Sequence, residues 1–161
     1  IAIPRPYNTY GPRDNFNLEK AHVIPALISK ALATKSDCFE VWGNGQHSRS
    51  FVYVDDFARG ILEVTARYQI ADPINIGTNE EVTIFELAEK IAKLASDYRQ
   101  RIIVPKFDIK GLTGQPRRCC SVDKLSSELG FTTKVSIDDG LKKTFEWYIK
   151  HENSTMHSYS Q

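Results

Sequence analysis

Residues 83–98, TIFELAEKIAKLASDY, constrain the fold more than any other stretch of the chain. Thr83 and Glu86 stand three apart, the spacing of a capping box in which each side chain satisfies a backbone N–H near the other. Ile84, Leu87, Ala88, Ile91, Leu94 and Ala95 then recur at the helical period and build one apolar face. PINIG, closed by Gly77, reads as a short apolar strand before this helix, and RIIVP as a strand after it.

The same alternation runs through the rest of the chain. HVIPALISKALATK puts Ile24, Leu27, Ile28, Ala31 and Leu32 on one face, so a helix is expected from about His22 to Lys35, with Pro25 tolerated in its first turn. CFEVW reads as a strand, GNGQ as a tight turn and SFVYV as a second strand. Asp55 and Asp56 are candidate caps for the helix FARGILEVTARY. Residues 106–118 read as a polar loop. SVDKLSSEL is a helix stopped by Gly130, and IDDGLKKTFEWYIKH is a final helix with Ser136 as N-cap. Residues 152–161 lack periodicity and are expected to be disordered. Strands alternating with helices make the class α/β.

Composition matters here for what it excludes. A net charge of +1 over 161 residues offers no field to gather nucleic acid or an anionic membrane. Three cysteines without histidines at ligand spacing provide neither a disulfide framework nor a zinc site, so a cytoplasmic location is expected. IAIPRPY lacks the charged start and long apolar core of a signal peptide. It reads as the end of a buried strand running into a loop, and the chain is expected to begin inside a larger protein.

Four polar clusters lie in loops or at element ends. RPYNTYGPRDNF carries Tyr7, Asn8, Tyr10 and Arg13, either as turn residues or as ligand holders. Lys20 and His22 sit at the mouth of the first helix, where free N–H groups meet an anion or a polar ligand, and where a histidine is also an ordinary cap. WGNGQHSRSF sets the flat Trp42 seven residues before Arg49, across a glycine turn expected to bring two strands together. That pair suits a nucleotide base and its phosphates, or else a core aromatic and a surface ion pair. GQPRRCC supplies Arg117 and Arg118, enough charge with Arg49 for a diphosphate. The chain has no Gly-x-x-Gly-x-x-Gly loop for a dinucleotide pyrophosphate, and no tyrosine is followed four residues later by a lysine.

RPYNTYGPRDNF, HVIPALI, VWGNGQHSRSFVYVDDFARGI, PINIGTNEEVTIFELAEKIAK, GQPRRC and ELGF with VSIDDGLKKTFEWY follow one another in a familiar order. Over residues 1 to about 150 the chain resembles the C-terminal half of the NAD(P)-dependent sugar-nucleotide epimerases, dehydratases and reductases, the extended short-chain dehydrogenase/reductases. The resemblance implies the C-terminal part of a Rossmann-like fold with the smaller substrate-binding α/β domain. Residues 1–17 would be the end of the cofactor-domain sheet and an active-site loop. Residues 18–151 would be mainly the sugar-nucleotide region, with some segments returning to the cofactor domain, and 152–161 a tail.

Carried over by position, Pro6, Tyr7 and Asn8 would lie against the nicotinamide end of NAD or NADP, Asn8 also reaching the sugar nucleotide. His22 matches a histidine that takes part in proton transfer in GDP-fucose synthases. Val23 and Lys30 would contact substrate, Trp42 the base, Arg49 the phosphates, and Arg117 and Arg118 the diphosphate or ribose. Three positions depart from the pattern: Thr113 and Ser121 stand where members carry an Asp, and Pro4 where a plain strand residue is usual.

The partner implied is a nucleoside diphosphate sugar, and the full-length protein would be a homodimer. The function implied is the substrate-binding half of a nucleotide-sugar epimerase that removes and returns hydride at a sugar carbon. A GDP-fucose-synthase-like epimerase/reductase, a dehydratase, or a non-catalytic binding protein on the same scaffold are the alternatives.

Overall fold

The structure, a computed structural model, describes residues 1–109 and 115–158, the last seven of them as backbone alone. In chain order the elements are β1 (Pro4–Pro6), β2 (Thr9–Tyr10), α1 (Val23–Ala33), β3 (Cys38–Trp42), β4 (Ser48–Ser50), β5 (Val52–Tyr53) and α2 (Val54–Arg67). β6 (Ile74–Ile76), β7 (Glu81–Thr83), α3 (Ile84–Arg99), β8 (Val104–Asp108), β9 (Arg117–Arg118), α4 (Asp123–Leu129) and α5 (Ile137–Ser158) complete them. The mixed α/β class stands.

Parallel pairing dominates. β1 lies along β6, β2 along β5 and β3 along β8, while β4 is the middle strand of β7-β4-β9. Two apolar clusters hold these pieces. One joins α1, α3, α5 and β3 through Leu27, Ile28, Phe39, Leu87, Ile91 and Leu141, and the other joins α2, α4 and β6 through Val64, Ile74, Ile76, Leu125 and Phe131. Each fully buried Leu or Ile contributes about 1.5–3 kcal/mol, so the expected apolar faces are what secure the helices.

α3 forms as its sequence requires. Thr83 Oγ1 accepts from the Glu86 N–H at 3.1 Å, and the Glu86 carboxylate accepts from the Thr83 N–H at 2.8 Å. Ser136 caps α5 through the Asp139 N–H at 3.2 Å.

Several expectations are corrected. Tyr53, not Asp55 or Asp56, occupies the N-cap of α2, and no side chain caps it. Asp56 turns inward instead: its carboxylate accepts from the N–H groups of Lys134 and Val135, both at 2.8 Å, and pairs with Arg59 at 2.6 Å. The second strand divides at Phe51 because Ser48–Ser50 pairs with β7 and β9 while Val52–Tyr53 pairs with β2. GNGQ is therefore a crossing between sheets, not the turn of a hairpin: β3 pairs with β8 and does not meet β4. The loop needs Gly45, whose φ is +76° and whose added Cβ would stand 2.7 Å from Phe107.

β8 starts three residues later than the run RIIVP, since its partner β3 sets the register from Cys38↔Val104 to Trp42↔Asp108. β9 forms inside the expected loop for the same reason, by pairing with β4. The final helix continues to Ser158, past the expected end at His151, because the sequence after it contains no glycine or proline to stop propagation. Residues 159–161 of the expected tail, and Thr113, lie outside the described residues. Among those described, no helix is long and apolar enough to cross a membrane.

Candidate functional site

The opening loop and the start of α1 enclose a cleft of about 370 Å³ lined by Pro6, Asn8, Thr9, Tyr10, His22, Val23, Ile24, Pro25 and Phe51. Five residues singled out in the sequence, Pro6, Asn8, Tyr10, His22 and Val23, thus line one cleft. Asn8 is held with φ at +32°, and its Nδ2 donates to the Ser50 carbonyl at 2.9 Å. The amide oxygen is left facing away from that bond. His22 occupies the N-cap of α1, yet its ring makes no capping hydrogen bond. The imidazole is exposed beside the cleft, and the bland reading of this histidine as a side-chain cap does not hold. Thr9 Oγ1 is buried with no hydrogen-bond partner. Burial also raises the Tyr10 phenol well above its ordinary pKa, with the Glu80 charge a smaller contribution.

Tyr7 is not in this wall. Its side chain lies toward Gly77 instead, whose added Cβ would lie 3.3 Å from the Tyr7 Cβ. The Arg118 guanidinium stands 5.9 Å from the Tyr7 ring centre. Burial raises the Tyr7 pKa, and the Arg118 charge opposes the rise.

The three predicted arginines come together on one small sheet. Arg49 of β4 and Arg118 of β9 are register partners, although 69 residues separate them. Partners in a parallel pair project to the same side, so two guanidinium groups flank one strip of surface. Arg118 is exposed and Arg49 half-buried, its Nη1 donating to the Ser48 carbonyl at 2.7 Å. Arg117 is in a different situation. Its Nε donates to both Glu81 oxygens at 3.0 Å and its Nη2 meets Oε2 at 2.9 Å. Ser48 Oγ also donates to this carboxylate. With Ser48, Arg117 and Cys119 donating to it, Glu81 titrates far below its ordinary value, at about 2.

Lys30 and Trp42 form a third group. Lys30 Nζ lies 4.5 Å from the Trp42 ring centre and donates to the Glu40 carbonyl at 3.2 Å. The indole is 69% exposed, which removes the reading of Trp42 as a core residue and leaves a flat aromatic face open.

Glu81, Thr9 and Phe51 are the site residues that sequence reasoning missed. Glu81 carries no local signal, since its partner Arg117 is 36 positions away and meets it only through β4.

Parallel strands covered by helices, with a cleft at the opening loop and Arg49 paired with Arg118 on the small three-stranded sheet, make a Rossmann-like α/β fold. Residues 1–77 match the NAD dependent epimerase/dehydratase family. GDP-L-fucose synthase 1 of Arabidopsis thaliana is 40% identical over 149 residues, which cover 91% of this chain and 45% of that protein. A GDP-L-fucose synthetase from Naegleria fowleri bound to NADP superposes with a TM-score of 0.81 at 29% identity, covering 92% of this chain and 46% of that one. A UDP-glucose 4-epimerase from Thermotoga maritima with UDP-glucose superposes with a TM-score of 0.76 at 28% identity, covering 92% and 46%. The chain spans less than half the length of these relatives.

Proposed function

We propose that this chain holds the nucleoside diphosphate sugar in an NAD(P)-dependent epimerase/reductase of the GDP-L-fucose synthase type. The observation that carries the reading is the register pairing of Arg49 with Arg118, two guanidinium groups on one strip of sheet. A diphosphate laid along that strip would accept charge-assisted hydrogen bonds from both. Trp42 would offer its open face to the base, with Lys30 beside it.

The cleft fits the reacting end. Pro6 gives it an apolar edge, and Asn8 and His22 give it one amide and one imidazole. A pyrophosphate-binding glycine loop is not among these residues, so this chain would meet only the nicotinamide end of the cofactor. Bound there, NAD(P) supplies hydride to, or takes it from, a sugar carbon. His22, free of capping duty, would move a proton at the sugar ring. Binding the diphosphate away from that carbon uses remote contacts to orient it.

An epimerase that removes and returns hydride at one carbon is a second reading, favoured by the likeness to the UDP-glucose 4-epimerase. A homodimeric, cytoplasmic enzyme belongs to either reading; the dimer rests on the family resemblance and the location on the cysteine usage.

Calorimetric titration of the full-length protein with GDP, UDP and NADPH tests the proposal. Arg49→Ala and Arg118→Ala should each weaken the preferred nucleotide by roughly 10- to 100-fold, the loss of a charged hydrogen bond. NADPH affinity should stay within about twofold. Equal losses for nucleotide and cofactor would remove these arginines from the diphosphate. A preference for GDP favours the fucose-synthase type, and one for UDP the second reading.

A further inference from the structure

The pattern of polar blocks puts Arg117 with Arg49 and Arg118 on a diphosphate, but in the folded chain its guanidinium is already engaged by Glu81. The contact is a fork: Nε and Nη2 both donate to the carboxylate, at 2.9–3.0 Å. Its topology is unusual. Glu81 belongs to β7 and Arg117 to β9, the outer strands of a sheet whose middle strand is β4, so the ion pair reaches across a strand. Ser48, on the middle strand and in register with Arg117, donates its hydroxyl to the same carboxylate. All three strands are thereby tied at one point.

β9 needs such a tie. It consists of two residues, and its backbone connection to the sheet is short: the pairs Ser48↔Arg117 and Arg49↔Arg118, with the Ser48 N–H donating to the Pro116 carbonyl at 2.9 Å. A two-residue strand has little ladder of its own to resist fraying. Its second residue is Arg118, beside Arg49, where two like charges repel. A third free cation at Arg117 would add to that repulsion, and the Glu81 carboxylate neutralises it.

We infer that Glu81 is a positioning residue for diphosphate recognition: by clamping Arg117 it holds β9 in register, so that Arg118 stands beside Arg49 and these two are presented to the ligand. The inference rests on the nucleoside diphosphate reading above and assigns Arg117 a structural task in place of a ligand contact. Glu81 touches no ligand in this arrangement.

The test uses the full-length protein, titrated with GDP and UDP as probes and with NADPH as control. Glu81→Ala should weaken the preferred nucleotide about tenfold, as expected for one charged hydrogen-bonding group acting at one remove. Glu81→Gln, which keeps an acceptor for Ser48 and Arg117, should recover part of the loss, and NADPH binding should not move.

The discriminating measurement is the double variant. In an Arg118→Ala background, Glu81→Ala should have no further effect on nucleotide affinity, because the residue it positions is gone. Additive losses would overturn the inference, since Glu81 would then act through general sheet stability. Tighter nucleotide binding by Glu81→Ala would also overturn it, marking Glu81 as a competitor that keeps Arg117 from the ligand. If Glu81→Ala does not fold, the Glu81→Gln loss should vanish in the Arg118→Ala background, and its persistence there would overturn the inference in the same way. Wild-type protein that binds neither GDP nor UDP would remove the diphosphate reading and this inference with it. Binding that responds to Arg49→Ala but not to Glu81→Ala would remove only the inference.

Discussion

Arg117 and Arg118 are adjacent in sequence and identical in chemistry, yet the sheet turns them to opposite faces. Alternation along β9 points one toward Glu81 and the other, with Arg49, toward open surface. Their acid behaviour follows. Glu81 is shifted from its ordinary 4.5 to about 2 by donors that exist only in the folded state, Ser48 first, then Arg117 and Cys119. A carboxylate whose folded pKa is depressed stabilises the fold above its unfolded pKa and loses that contribution as pH falls toward the folded one. The stabilisation from Glu81 should therefore be full above about pH 4.5 and fade between there and about pH 2. Denaturant titrations of wild type and Glu81→Gln across that window should converge at its acid end, and a constant difference would count against the clamp. Under the proposed reading His22 is the residue with a chemical role. With its ring uninvolved in capping α1, His22→Gln should lower kcat by about 100-fold, the effect of losing one proton-transfer group, with nucleotide affinity within about twofold.

Elements are legible in proportion to how local their signals are. The capping box of α3 and its apolar face sit within a few residues of one another, and both are present in the folded chain. Thr83→Ala should destabilise the fold by about 1 kcal/mol in urea titration, the usual loss for a cap. α2 shows the opposite case. Asp56 lies at a capping position by sequence, but backbone N–H groups 78 and 79 residues away compete for its carboxylate and win. Burial decides the outcome: at 2% exposure a carboxylate must find several donors, and the segment before α5 supplies them. Asp56→Ala should cost about 2 kcal/mol, because it strands two part-buried N–H groups and the Arg59 charge, and a loss under about 1 kcal/mol would show water replacing them. β8 is displaced from its apolar run, and β9 carries no strand signal, because their registers are set by β3 and β4 and not by their own residues.

At the scale of the whole molecule, the opening loop is tied to the last helix. Tyr10, in the cleft wall, donates to the Ile137 carbonyl at 3.4 Å, and a Cβ on Gly140 would overlap its hydroxyl oxygen. Gly140→Ala should push Tyr10 into the cleft, destabilise the fold by about 1–3 kcal/mol and weaken nucleotide-sugar binding together with it, measured by thermal shift with and without GDP or UDP. Helix periods, the caps of α3 and α5, the α/β class and the order of the polar blocks were determined by the sequence itself, because each depends on residues close along the chain. Only the tertiary structure decided that Asn8 and His22 share a wall, that Tyr7 faces away from it, and that Arg118 rather than Arg117 stands with Arg49. Those outcomes depend on strand register, and register is chosen by partners many residues away, through backbone pairing and the burial of one face.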